Sequence, residues 1–96
     1  MPLQVVATIP AKPGSEERVS DVLTELVAAT RTESGCLAYE LFRSKADPTV
    51  FVMIETWQSQ EDLDAHQKTP HLQKAFAEAG EHLAGAPSIH PLDAIA

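Results

Sequence analysis

The chain has 96 residues, room for a single domain spanning 1–96, with 44% apolar and 22% charged residues, an ordinary globular balance. Its formal net charge is −7 and its pI about 4.9. That excludes a tracker of nucleic-acid phosphates and a binder of anionic lipid, since both need clustered Lys and Arg.

Met1-Pro2-Leu3-Gln4 carries no basic stretch and no long apolar run. Neither a signal peptide nor a membrane span is expected, and the cytoplasm is the expected location. Residues 3–9 are apolar and β-branched and predict a first strand, broken by Pro10-Ala11-Lys12-Pro13-Gly14. Ser15 precedes Glu16 and Glu17 as an N-cap should, with acid in the first turn. Val19, Val22, Leu23, Leu26 and Val27 repeat at three and four residues and predict an amphipathic helix. It is expected to stop at Ser34-Gly35, with Gly35 as its C-terminal cap.

Residues 36–44 predict a second strand, with Leu37, Tyr39 and Leu41 on one face and Ala38, Glu40 and Phe42 on the other. Cys36, the one cysteine, can build no internal disulfide and reads as a packed thiol in a reducing compartment. Asp47-Pro48 marks a turn. Residues 50–57 predict a third strand, its faces being Phe51, Met53, Glu55, Trp57 and Val50, Val52, Ile54, Thr56. The short turn makes the pair an antiparallel hairpin. Ser59, with Asp62 three residues on, opens a helix running to about residue 67. Thr69-Pro70 starts another, Thr as N-cap and Pro at the first helical position. Its buried stripe is Leu72, Ala75, Phe76, Ala79 and Leu83, and Gly85-Ala86-Pro87 ends it. Residues 88–95 predict a last strand, which Pro91 confines to an edge or a bulge because it cannot donate to a ladder.

The order β-α-β-β-α-β is the split βαβ, ferredoxin-like sandwich of the α+β class. Its helices cover one face of the antiparallel sheet. The other face is too apolar for water, and two such sheets packed face to face bury both, so a homodimer is expected.

The chemistry concentrates in residues 52–71. Glu55 lies in a strand otherwise apolar on both sides, and a buried carboxylate needs partners or takes up a proton. Alternation sets it beside Met53 and Trp57, while His66 and His71 follow on helical segments. A carboxylate, an indole and imidazoles lining one pocket would suit a flat organic ligand. Each also has a plainer reading: Glu55 as an anchor, Trp57 as core, His66 and His71 as helix-surface residues. His82 and His90 are isolated. His66 and His71 are five apart with Pro70 between them, which lacks the i, i+4 spacing of a helical metal pair, so no metal site is expected. No Gly-rich phosphate loop, nucleophile elbow or dinucleotide fingerprint is present, so no flavin or nicotinamide is expected.

Gly35-Cys36-Leu37-Ala38-Tyr39, Asp47-Pro48, Ile54-Glu55-Thr56-Trp57-Gln58-Ser59 and Asp64-Ala65-His66-Gln67-Lys68-Thr69-Pro70-His71 together resemble the antibiotic biosynthesis monooxygenase family. Residues 52–71 are most similar to its quinol monooxygenase branch. The resemblance implies a dimeric α+β barrel with one pocket per subunit. It implies oxygenation of a small aromatic quinol or phenol, with O2 as co-substrate and no cofactor. His66 is then the base or proton shuttle and Glu55 orients it; Trp57 stacks on the ring, His71 hydrogen-bonds a substrate oxygen, and Tyr39 and Met53 complete the substrate contacts. The polyketide-oxidising branch differs, with Asn at Met53 and Tyr at Leu63. The haem-degrading branch has its Asn, Trp and axial His at Ala7, His66 and Phe76, so no iron ligand is matched. A branch that isomerises a phosphorylated quorum signal shares Glu55, His66 and His71, so an isomerase on a small carbonyl compound is the alternative, beside a non-catalytic small-molecule-binding dimer.

Overall fold

Val5, Ala7 and Ile9 alternate with more exposed neighbours along β1 (Leu3–Pro10), and Phe51, Met53, Glu55 and Trp57 do the same along β3 (Val50–Trp57). This period of two turns one face of each strand inward. In the computed structural model, which describes residues 2–96, the sheet is completed by β2 (Cys36–Arg43) and β4 (Ser88–Leu92) in the order β2-β3-β1-β4. All neighbours are antiparallel. Three helices, α1 (Glu16–Thr30), α2 (Gln60–Gln67) and α3 (Pro70–Ala79), join them. The architecture is the expected ferredoxin-like α+β arrangement. Pro91 falls in β4, an edge strand bonded to β1 alone, where its missing N–H costs no ladder bond.

The register builds the site's floor. Glu55 lies between Val5 of β1 and Tyr39 of β2, and Met53 lies between Ala7 and Leu41. Against this floor α1 lays Val19, Val22, Leu23 and Leu26, and α3 lays Leu72, Ala75 and Ala79, all buried. Burying each of the larger side chains contributes roughly 1.5–3 kcal/mol. Phe76 and Leu83 of the expected stripe are only partly buried, packing on the core's edge.

Five local expectations change. α1 ends at Thr30, because backbone bonds from Thr32 to Ala29 and from Glu33 to Thr30 tighten the chain into a turn. Gly35 is not a left-handed cap; Gly14 is the one residue with positive φ among those described, at 91°. Gly35 is required instead because a Cβ there would run into the Asp62 side chain at the start of α2. A bulge between Cys36 and Ala38 turns Leu37 to solvent while Tyr39 and Leu41 stay on the inner side. Ser15 stands at the N-cap of α1 but makes no capping bond; its hydroxyl pairs with His82 Nδ1 at 3.2 Å. The last strand stops at Leu92, short of residue 95.

On the sheet's other side, Val6, Val50 and Val52 are half-buried and Phe42, Ile54 and Leu92 are exposed. Among the described residues no helix is long and apolar enough to cross a membrane.

Candidate functional site

The site is positioned by the ends of β3, α2 and α3. β3 delivers Glu55 and Trp57 to its inner face. Two residues on, Ser59 caps α2: its Oγ accepts from the Asp62 N–H at 3.2 Å, and its hydroxyl donates to Asp62 Oδ2 at 2.9 Å. The hydroxyl of Thr69 donates to the His66 carbonyl at 2.8 Å and accepts from the Leu72 N–H at 3.3 Å. Thr69 thus closes α2 and caps α3 at once. That sets His66 on the last turn of one helix and His71 on the first turn of the next.

The break at Pro70 brings these two histidines together. His66 Nδ1–H and His71 Nε2–H each donate to the same oxygen of Glu33, Oε2, both at 2.7 Å. Their rings are 6.3 Å apart, centroid to centroid. The i, i+4 spacing is absent, as the sequence shows, yet the two imidazoles meet at one carboxylate. A third residue collects them, supplied by the turn between α1 and β2. Glu33 carries no periodic or motif signal in the sequence, where it reads as the last turn of α1.

Glu55 does not touch His66 through a hydrogen bond. Its Oε1 accepts from Trp57 Nε1–H at 2.8 Å in a fully buried setting. Burial pushes the Glu55 carboxyl up to about 7, against the smaller opposing effect of the Trp57 hydrogen bond. His66, 2% exposed, is moved the other way: burial lowers it below the ordinary imidazole range, while the hydrogen bond to Glu33 raises it. The Tyr39 phenol is pushed above its usual value, by burial first and the Glu55 carboxylate second. Burial, then Glu33, likewise raises the Cys36 thiol, which disfavours a thiolate nucleophile there.

The aromatic rings form a tight cluster. Trp57 lies 4.7 Å from His66, and Tyr39 meets His66 edge-on at 5.4 Å and Trp57 at 6.2 Å. A small pocket of about 20 Å³, room for about one water, lies beside them between the sheet and α2–α3, so a ring-sized ligand enters only as its walls part. Tyr39, Met53, Glu55 and His66 line it, with Phe76 and Ile89 among its apolar walls. Four of the six residues singled out from the sequence therefore share one pocket. Trp57 has no exposed surface and does not line it. His71 lies on the far side of Glu33, facing a shallow surface groove between α1 and α3. The arrangement sets a buried carboxyl and an imidazole, not bonded to each other, on the wall of one apolar pocket, with a second imidazole behind.

The sequence pattern of the family described as antibiotic biosynthesis monooxygenase matches residues 2–78. A relative named "Probable quinol monooxygenase YgiN", from Escherichia coli strain K12, is 39% identical over 88 residues, covering 80% of this chain and 83% of its own. Among solved structures, one described as an antibiotic biosynthesis monooxygenase superposes with a TM-score of 0.91 at 35% identity, covering 98% of this chain and 99% of its own. PA3566 from Pseudomonas aeruginosa superposes with a TM-score of 0.87 at 39% identity, covering 99% and 95%.

Proposed function

This chain belongs to the antibiotic biosynthesis monooxygenase family, and from that premise we propose that it oxidises a small quinol or phenol with O2, without a prosthetic group, as a homodimer. The observation that carries this reading is that Glu55 and His66 both line one apolar pocket. The quinol hydroxyl gives its proton to His66 Nε2, which makes no hydrogen bond among the described residues. Glu33 holds the Nδ1–H and so fixes the tautomer that leaves Nε2 free. Glu55, its carboxyl near neutrality, takes a hydrogen bond from the second hydroxyl or gives one to it.

The phenolate is then electron-rich enough to reduce O2. One oxygen atom ends on a ring carbon as a hydroxyl and the other leaves as water. The ring is left as a hydroxyquinone, and the substrate supplies all four electrons. Tyr39 and Met53 contact the ring, and the apolar walls keep water from the intermediates. Trp57 holds Glu55 in place rather than stacking on the ligand. Phe42, Ile54 and Leu92 on the outer sheet face, with 41–48% of their surface exposed, form the face on which the second subunit packs.

Oxygen uptake by metal-stripped protein with hydroquinones and naphthoquinols, against autoxidation blanks, tests this. His66→Ala is expected to lower turnover by roughly 10²-fold or more. Full turnover in that variant removes His66 from the role. Turnover without O2 consumption supports the isomerase reading instead, since the same Glu and His serve proton transfer alone.

A further inference from the structure

Glu33, His66 and His71 form a cluster that the proposed oxidation uses only in part. We infer that they are a binding site for a divalent transition-metal ion of the zinc class, ligated by His66 Nδ1, His71 Nε2 and a carboxylate oxygen of Glu33. The three donor atoms lie within 4.8 Å of one another. They come from three separate segments: the turn before β2, the end of α2 and the start of α3. No local spacing forces them together. The His66 ring is fixed in advance by Trp57 at 4.7 Å and Tyr39 at 5.4 Å, so its Nδ1 is already aimed at the common point.

Charge points the same way. Glu33 is 15% exposed, and among the described residues its ion-pair partners are the two imidazoles; no Lys or Arg reaches it. A largely buried carboxylate without a permanent cation favours an added one. Two imidazoles and one carboxylate suit Zn2+ and its neighbours Co2+ and Fe2+, and leave at least one position for water or an outside ligand. A tetrahedral ion with bonds of about 2.0–2.1 Å holds its donors about 3.3 Å apart, so the two 2.7 Å contacts open by roughly 0.6 Å. Glu33 and His71, both partly exposed, have the freedom to make that shift by side-chain rotation. Neither lines the pocket. The ion lies behind His66 and no step of the oxidation runs through it; an ion on Nδ1 leaves the imidazole proton on Nε2, so the metal-loaded chain does not take the quinol proton there and Zn2+ should suppress oxygen uptake. Bound there, it clamps the α2–α3 junction to the turn before β2.

The test is titration of tag-free, chelator-treated whole protein with Zn2+ by calorimetry and with Co2+ by visible absorption. At micromolar protein, saturable binding of one ion per chain is expected, with a higher melting temperature when Zn2+ is added. Glu33→Gln and His71→Ala should each weaken binding by at least about tenfold. His90→Ala, on the outer sheet face, should not. No saturable binding overturns the inference, as does binding unchanged in both cluster variants or lost in His90→Ala. Should either cluster variant fail to fold, long-range 1H–15N spectra of the wild-type protein decide. Zn2+ shifts of His66 Nδ1 and His71 Nε2 support the site, and unmoved signals overturn it.

Discussion

Glu55 is the residue whose cost is easiest to measure. Its folded-state value, about 7, lies above the ordinary 4.5. The folded protein therefore keeps this proton over a range where the unfolded chain has lost it. The contribution to stability is full below pH 4.5, falls as pH rises to about 7, and is level above that. At one and a third kcal/mol per unit the loss is at most about 3 kcal/mol. Glu55→Gln keeps an acceptor for Trp57 Nε1–H and removes the charge. It should raise stability at pH 8 by up to that amount and flatten its fall between pH 4.5 and 7, read by urea unfolding across pH. Trp57→Phe removes the hydrogen bond that favours the ionised carboxylate. It should move the Glu55 titration further up, seen by carboxyl 13C NMR; an unmoved or lower titration would contradict the role given to the indole. Glu55 and His66 were both legible as candidates, because a carboxylate inside an apolar alternation stands out. Glu33 was not, because a turn acid has no signature until its partners are in place.

Among elements, the turn into β2 and the α2–α3 junction decide the most. Gly35 makes room for Asp62 rather than turning the chain. Gly35→Ala should therefore cost about 1–3 kcal/mol by overpacking. In a domain this small each kcal/mol lowers the melting temperature by roughly 4–8 °C, which differential scanning calorimetry would resolve. Asp62→Gly in that background should recover part of the loss. Thr69→Ala removes the cap of α3 and the bond that fixes the His66 carbonyl. About 1 kcal/mol of stability should go with it, and His66 and His71 should lose their common aim at Glu33. Periodicity and caps gave the elements in the right order, and both helix starts at Ser59 and Thr69 were readable. The bulge at Leu37 was not, since the alternation through Leu37, Tyr39 and Leu41 is unbroken in the sequence and only pairing with β3 shows the extra residue.

For the whole molecule, the outer sheet face sets the demand for a partner surface. A chain of this size buries only some 60–70% of its unfolded surface, and Phe42, Ile54 and Leu92 remain exposed on one side of one sheet. Packing against a second copy would bury them. Ile54→Lys, at the middle of that face, should convert a dimer to a monomer in sedimentation equilibrium at micromolar concentration without changing the helical spectrum. A wild-type protein that already sediments as a monomer would remove the dimer from the proposal.

The sequence by itself determined the element order, the two faces of β3, the apolar stripes of α1 and α3, the restriction of β4 to an edge or a bulge, and the family. Each of these follows from period, caps or local motif, which are properties of neighbours along the chain. Only the tertiary structure decided which side chains meet. It gave His66 to Glu33 instead of Glu55, drew His71 behind the pocket, sealed Trp57 in the core, and made Gly35 a matter of space. Those outcomes depend on strand register and on helix packing between distant parts of the chain, 33 and 38 residues apart for the two histidines and Glu33. Contacts at that separation leave no periodic trace in the residues that make them.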